Sequence, residues 1–253
     1  MLSEILERIS IEANSGEQER RIIYSFLQKG EPIDFIRDIC LDSSLRLSPE
    51  IVDKILENHV SLAKDDNFIY VPSINLYVAK ERSHLGKGWF KCHKLLQADG
   101  ERMMIPPEFI EFLKYCKTHN PEIYEDITAI RSPWRAEWLD ASFEKKGKDL
   151  FINYNHVLGS NGNLIPKNSG PLDKDTLMEY KRSSLDDYLN NNHTTQGLPN
   201  KKVQSGDLYY YYPVSDNNSV AKFVASSIRV ALGYDSVPSD QYSNLGVRAV
   251  RHT

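Results

Sequence analysis

Apolar residues recur at helical spacing from the start of the chain: Leu2, Ile5, Leu6 and Ile9 fall on one face. Ser15 with Gln18 matches a capping box ahead of a second periodic run that ends near Gly30. A third helix is predicted over Ile33 to Asp42, and Ser48-Pro49 puts proline in the first turn of a fourth, IVDKILENHVSLAK. Residues 1–66 therefore read as a small helical unit. At Phe68 the texture changes: FIYVPSINLYVAKE is rich in aromatic and β-branched residues and interrupted by proline, which predicts two short strands joined by a turn and opens a second domain over 67–253.

Within that domain, Pro106-Pro107 and Pro121 each open a segment with apolar residues on one helical face. DLFINYNHVL reads as a strand, and Ser160-Asn161-Gly162-Asn163 is a turn signal before Leu164-Ile165, giving a hairpin. The polar stretch from Lys167 to about Lys202 reads as a surface excursion with a short helix near Asp173 to Tyr180. LYYYYP begins the last block, and LGVRAV closes it as a short strand. From Phe68 onward the order is strands, then the two proline-opened helices, then strands, segregated runs that are compatible with an α+β fold class.

Composition changes this picture little. The 253 residues carry a formal net charge of −4, with 40% hydrophobic and 26% charged residues, so the chain offers no basic field for nucleic acid. No apolar stretch approaches the ~18 residues of a spanning helix, and the acidic N-terminus lacks a signal-peptide start; membrane insertion is not expected, and display outside a cell would depend on another component. Cys40, Cys92 and Cys116 are odd in number and irregularly spaced, as suits buried small hydrophobes.

Recognisable reaction chemistry is sparse. The phosphate-loop, dinucleotide-turn, HExxH, GxSxG and calcium-loop patterns are absent from the sequence. Cys92-His93 is the one Cys/His adjacency, and no second pair lies at metal-ligand spacing; the seven histidines are scattered. No catalytic residue, metal site or cofactor is therefore expected. Lys145, Lys146 and Lys148 read as a solubilising loop, and Trp89, Trp134 and Trp138 as core.

The distinctive segment is the last one, DNNSVAKFVASSIRVALGYDSVPSDQYSNLGVRAVRHT. From Val224 to Tyr234 larger residues alternate with Ala225, Ser227, Arg229, Ala231 and Gly233. One reading is a half-buried strand with Val224, Ile228, Val230, Leu232 and Tyr234 toward the core. The other is a lattice of small residues that holds the backbone while the larger ones are displayed. Two details favour display: the run exceeds the usual ~5–6 residue strand, and small residues fill the opposite face almost alone.

Val220-Ala221-Lys222-Phe223, the alternation after it and the closing LGVRAVRHT resemble the variable region of a diversity-generating retroelement target protein, in the archaeal branch from Nanoarchaeota-like cells or their viruses. In that family an error-prone reverse transcriptase randomises adenines of a template copy, so AAY codons become hotspots. Their products can include Val, Ser, Ile, Leu, Tyr, Asp and Asn, but not Lys, Glu, Gln, Met or Trp. Residue by residue, the rule admits Val224, Ser226, Ile228, Val230, Leu232, Tyr234, Ser236, Val237, Asp240, Tyr242 and Asn244 as varied, ligand-binding positions, with Tyr211, Tyr212 and Val214 as weaker candidates; Lys222 and Gln241 are excluded.

The resemblance implies a C-type-lectin-type fold for the second domain, with a variable region over about 211–245, and a ligand that is a protein or other macromolecule bound non-covalently. Arg229, Arg248 and Arg251 would be fixed and structural, pairing with carboxylates or backbone carbonyls. The calcium-binding EPN and WND tripeptides of sugar-binding lectins are missing. Two alternatives remain: an enzyme related to formylglycine-generating oxidases, which need late reactive cysteines where this chain has none after Cys116, and a structural role in assembly, for example in a virion, through the N-terminal helices.

Overall fold

The computed structural model describes residues 22–23, 25–27, 31, 33–41, 47–63, 65–214 and 218–252. The helices expected over 1–30 lie mostly outside them, although 22–23 and 25–27 are helical. The protein is mixed α+β and divides into two compact units, Met1–Tyr77 with His252–Thr253, and Val78–Arg251. The division falls inside a strand, eleven residues beyond the boundary read from the change in sequence pattern. Among the described residues no helix is long and apolar enough to cross a membrane.

In the first unit, α1 (Ile33–Cys40) and α2 (Pro49–Ala63) start where proline and the apolar periodicity place them. Ile36 and Cys40 of α1 bury against Val52, Ile55 and Leu56 of α2 and against Ile22, Ile23 and Phe26. Arg37 Nε donates to Asp53 Oδ1 at 2.9 Å across the helix pair. β1 (Phe68–Val71) follows, and β2 (Leu76–Ala79) runs into the second unit. Their turn uses Asn75 at φ 54°, a conformation that Asn tolerates, with its side chain accepting from Tyr70 Oη.

The second unit is built on a mixed sheet. Its helices are α3 (Trp89–Ala98), α4 (Pro106–His119), α5 (Pro121–Thr128) and α6 (Leu185–Asn190). Its strands are β3 (Arg102–Met103), β4 (Arg135–Lys146), β5 (Asp149–Leu158), β6 (Leu164–Pro171), β7 (Lys181–Ser183), β8 (Leu208–Tyr211), β9 (Ser219–Ala225), β10 (Val230–Ser236), β11 (Leu245–Val247) and β12 (Ala249–His252). The main sheet runs β6-β5-β4-β9-β10-β8-β7, antiparallel except where β10 meets β8. β11 adds in parallel beside the N-terminal half of β4, and β12 pairs antiparallel with β3.

The long central strand β4 escaped the sequence reading, although Trp138 was correctly placed in the core. Residues 135–141 are all buried, a burial that normally writes a continuous apolar run. Here Arg135, Glu137 and Asp140 interrupt it. The excursion at 167–202 also differs from expectation: β6 extends to Pro171, residues 173–180 hold a turn at 174–175 and a bridge from Thr176 to Asn200 instead of a helix, and Leu177, Tyr188, Leu189 and Leu198 are buried.

Both faces of β4 are buried, and α4 covers the face that carries Phe223. Phe109 of α4 meets the Phe223 ring at 5.1 Å, and Tyr234 contacts both Phe143 and Tyr210. Glu108 caps α4 by accepting from Ile105 N at 3.0 Å while forming a two-point pair with Arg102 at 2.8 and 2.6 Å. Phe223→Ala should lower the unfolding free energy by about 3–5 kcal/mol in a denaturant titration. Ile228→Ala, at a position 71% exposed, should leave it within about 0.5 kcal/mol.

Candidate functional site

The run from Val224 to Tyr234 is not one strand. β9 ends at Ala225, residues 226–229 turn, and β10 begins at Val230. Ser226 makes the turn: its backbone N–H and its hydroxyl both donate to the Arg229 carbonyl, at 2.8 and 3.0 Å. Its hydroxyl also accepts from Arg229 N. The turn reverses the chain and so decides which side chains face inward.

Leu232 pairs with Phe223 on one side and Tyr210 on the other, and Val230 with Ala225 and Leu208. Paired positions share a face, so Val230, Leu232 and Tyr234 point with Phe223 toward α4. They are buried, and Tyr234 Oη donates to the Gly197 carbonyl at 2.9 Å. Ser236 is buried too, its hydroxyl donating to Gly233 O. Three of these corrections have one cause: on β10 the large residues Val230, Leu232 and Tyr234 fill the core and the small ones, Ala231 and Gly233, take the opposite face; Ser236 is buried beyond the register shift that follows Gly233.

The other expected positions remain accessible. Ile228 stands at the turn, Val237 and Tyr242 (54% exposed) lie in the loop after β10, and Val224, Ser226, Asp240 and Asn244 are half-buried. Asp240 pairs with Lys222 at 2.9 Å, and Lys222 Nζ lies 5.6 Å from the Trp138 ring centre. Tyr242 meets Trp134 edge-on. Next to the small residues of β10, Tyr209 and Tyr211 occupy the outer face of β8, opposite Ala231 and Gly233. Arg229 lies over both rings, at 5.2 and 5.5 Å, and Arg182 over Tyr209 at 4.7 Å. Tyr180 contacts Tyr211 and Tyr212. The result is an aromatic and cationic surface, of which the sequence reading had named Tyr211, Tyr212 and Arg229 but not Tyr180, Arg182 or Tyr209.

The second unit also holds two buried polar clusters. In the first, Arg248 Nε donates to Glu137 Oε2 at 3.1 Å, while its Nη1 donates to the carbonyls of Ala79 (2.8 Å) and Lys80. Arg135 approaches the same oxygen at 3.4 Å. Arg82 donates to the carbonyls of Ala136 and Asn244. Burial alone would raise the Glu137 carboxyl, but Arg248, Arg135 and Arg82 outweigh it and hold the group below its ordinary value. Burial, reinforced by Arg135, pushes Arg82 down to about 10. Arg251 pairs with Glu101 at 2.8 Å. The carboxylate and carbonyl partners expected for Arg248 and Arg251 are present, whereas Arg229 rests on tyrosine rings.

In the second cluster, His156 Nδ1 and Asp140 Oδ1 are in very close contact, Asp140 Oδ2 accepts from His156 N at 3.0 Å, and His156 Nε2 lies 3.2 Å from Ser142 Oγ. His93 Nε2 is 3.6 Å from Asp140 Oδ1. Trp89 packs edge-on against both imidazoles at 4.2 and 4.9 Å. Neither ring nitrogen of His93 has a hydrogen-bond partner among the described residues, an arrangement that costs about 1–3 kcal/mol per buried polar group. Burial pushes His93 down to about 4, against the pull of Asp140 and with help from His156, so the ring is neutral at neutral pH. Ser142, His156 and Asp140 stand in the order nucleophile, base and orienting carboxylate. Asp140 faces two imidazoles, however, and both it and His156 are buried, whereas Ser142 is half-buried. Only the adjacency of His93 to Cys92 had drawn attention in the sequence; nothing local linked 93, 140 and 156.

Comparison with protein-family models, with curated proteins and with solved structures found no match. Glu137→Gln, which leaves the buried guanidinia without their counter-charge, should cost about 3–5 kcal/mol in chemical unfolding. Because the folded-state value of Glu137 lies below the ordinary 4.5, its contribution is full above pH 4.5 and is lost as the pH falls through the lowered value. A stability–pH profile should therefore fall more steeply below pH 4.5 for the wild type than for Glu137→Gln.

Proposed function

We propose that this protein binds a macromolecular ligand through the outer face of its β9–β10–β8 sheet and the loop after β10, and that retroelement mutagenesis diversifies this surface. One observation carries the reading. Large apolar and aromatic side chains stand exposed at both ends of β10, Ile228 in the turn before it and Val237 in the loop after it, with Tyr242 farther along that loop against Trp134 and Tyr180 against Tyr211 and Tyr212, while the opposite face of β10 is packed. A rigid underside with a varied exposed rim is what a changeable binding surface requires. The varied set narrows accordingly to Val224, Ser226, Ile228, Val237, Asp240, Tyr242 and Asn244, extended by Tyr211 and Tyr212.

A C-type-lectin-type fold belongs to the same proposal. Its support is the order of elements: proline-opened helices, then a largely antiparallel sheet, then closing strands that return to β4 and β3. The oxidase alternative draws little support from the thiols. Cys92 and Cys116 are buried, and burial pushes each up to about 12, far from a reactive thiolate. A contribution of the N-terminal unit to assembly has one observation in its favour, the exposure of Phe35, Leu41 and Ile51.

Two measurements test the proposal. A displayed library randomised at Val224, Ile228, Val237 and Tyr242 should retain cooperative unfolding within about 4 °C of the wild type and yield selectable binders to unrelated proteins. Randomising Val230, Leu232 and Tyr234 should abolish folding. If the exposed set destabilises as much as the buried set, the surface reading fails. Diversification is checked in the surrounding DNA, where a near-copy of the 3′ coding end beside a reverse transcriptase should differ only at adenines of the copy; differences at all bases would rule it out.

A further inference from the structure

We infer that His93, Asp140 and His156 form a site for one divalent transition-metal ion of the zinc type, which clamps α3 to β4 and β5. Each residue offers one ligand atom, and the three atoms lie within 4.8 Å of one another. Tetrahedral bonds of about 2.0–2.2 Å place the donors of one ion about 3.3–3.6 Å apart, so side-chain adjustments of roughly 1–1.5 Å, closing the widest pair and opening the close His156–Asp140 contact, bring the three onto a common centre. Two imidazoles and one carboxylate suit zinc, cobalt or nickel, whereas calcium and magnesium take oxygen ligands.

The surroundings supply what a metal site needs beyond its ligands. His93 is 1% exposed and its ring nitrogens lack hydrogen-bond partners among the described residues, so it presents a lone pair with no other recipient. Ser142 Oγ sits where it can accept the Nε2–H of His156, the tautomer that leaves Nδ1 free to coordinate. On metal entry the imidazole proton moves from the Nδ1 side, where it faces Asp140, to Nε2, so that one ring nitrogen coordinates and the other donates to Ser142 Oγ. The backbone N–H of His156 holds the second oxygen of Asp140. Gln97 of α3 fixes the strand by donating to the His156 carbonyl at 2.9 Å and accepting from Leu158 N at 2.8 Å. With all three ligand residues buried, the ion would be structural, and its presence does not depend on the proposed binding function.

The test is Co²⁺ titration of the chelator-treated full-length chain. One equivalent should bind with the visible absorption of a low-coordinate Co²⁺ centre and raise the Tm by about 5 °C or more at saturating metal. His93→Gln and His156→Gln should lose both effects, while His119→Gln, at an exposed histidine, should keep them. No stoichiometric uptake by the wild type overturns the assignment, as does uptake undiminished in His93→Gln and His156→Gln. Should those variants fail to fold, anomalous X-ray scattering from zinc-loaded wild-type crystals decides: an ion between the three side chains sustains the site, and its absence there or a location elsewhere overturns it.

Discussion

A single buried carboxylate organises the second unit. Glu137 lies on the central strand β4, 1% exposed, and takes the charge of Arg248 directly and of Arg135 at longer range. Removing such charges from water costs several kcal/mol per ion, so they persist only where each finds partners. Arg248 finds them in three places at once, Glu137 and the carbonyls of Ala79 and Lys80. Because it stands between β11 and β12, this one side chain joins the closing strands to β4 and to the end of β2. Arg82 strengthens the junction by holding the carbonyls of Ala136 and Asn244, the residues at which β11 and β4 begin to run together.

That anchoring frees the loop between β10 and β11. Its ends are held by backbone contacts: Trp89 N donates to Pro238 O at 2.8 Å, and Ala136 N to Asn244 O at 3.0 Å. Backbone bonds of this kind do not depend on which side chain occupies a position. The path of the chain at Val237 and Tyr242 is thus held by the main chain at the loop's two ends. Neighbouring Asp240 differs, since its carboxylate pairs with Lys222, and its loss would leave that ammonium to the Trp138 ring alone.

Much of the architecture was legible because local chemistry and tertiary packing agree. Ser48-Pro49, Pro106-Pro107 and Pro121 mark helix starts, and Gly162 at φ 77° forms the turn predicted between β5 and β6. The C-terminal pattern misled in an informative way. Alternation identifies the faces of a strand but not which face is covered, and the covering helix, α4, is more than a hundred residues away in sequence. The turn at 226–229 was hidden as well, because Ser226 builds it without glycine or proline. His93, Asp140 and His156 could not be joined from sequence, since they come from three elements that meet only after the sheet has formed.

The residues that concealed β4 are also those that specify it. A strand buried on both faces and filled with interchangeable apolar residues would accept a two-residue slip at little cost, since each side chain would still meet a hydrophobic neighbour. In β4 such a slip would carry Glu137 away from Arg248 and Asp140 away from His156 and His93, leaving buried charges unmatched in two clusters at once. The correct register is thus fixed by polar contacts on β4, β5, α3 and the β11–β12 junction. None of these contacts uses a side chain from the outer surface of β8, β9 and β10. A sheet whose register is set in this way can accept new side chains on that surface and still close in the same arrangement, which is the physical condition for variation without misfolding.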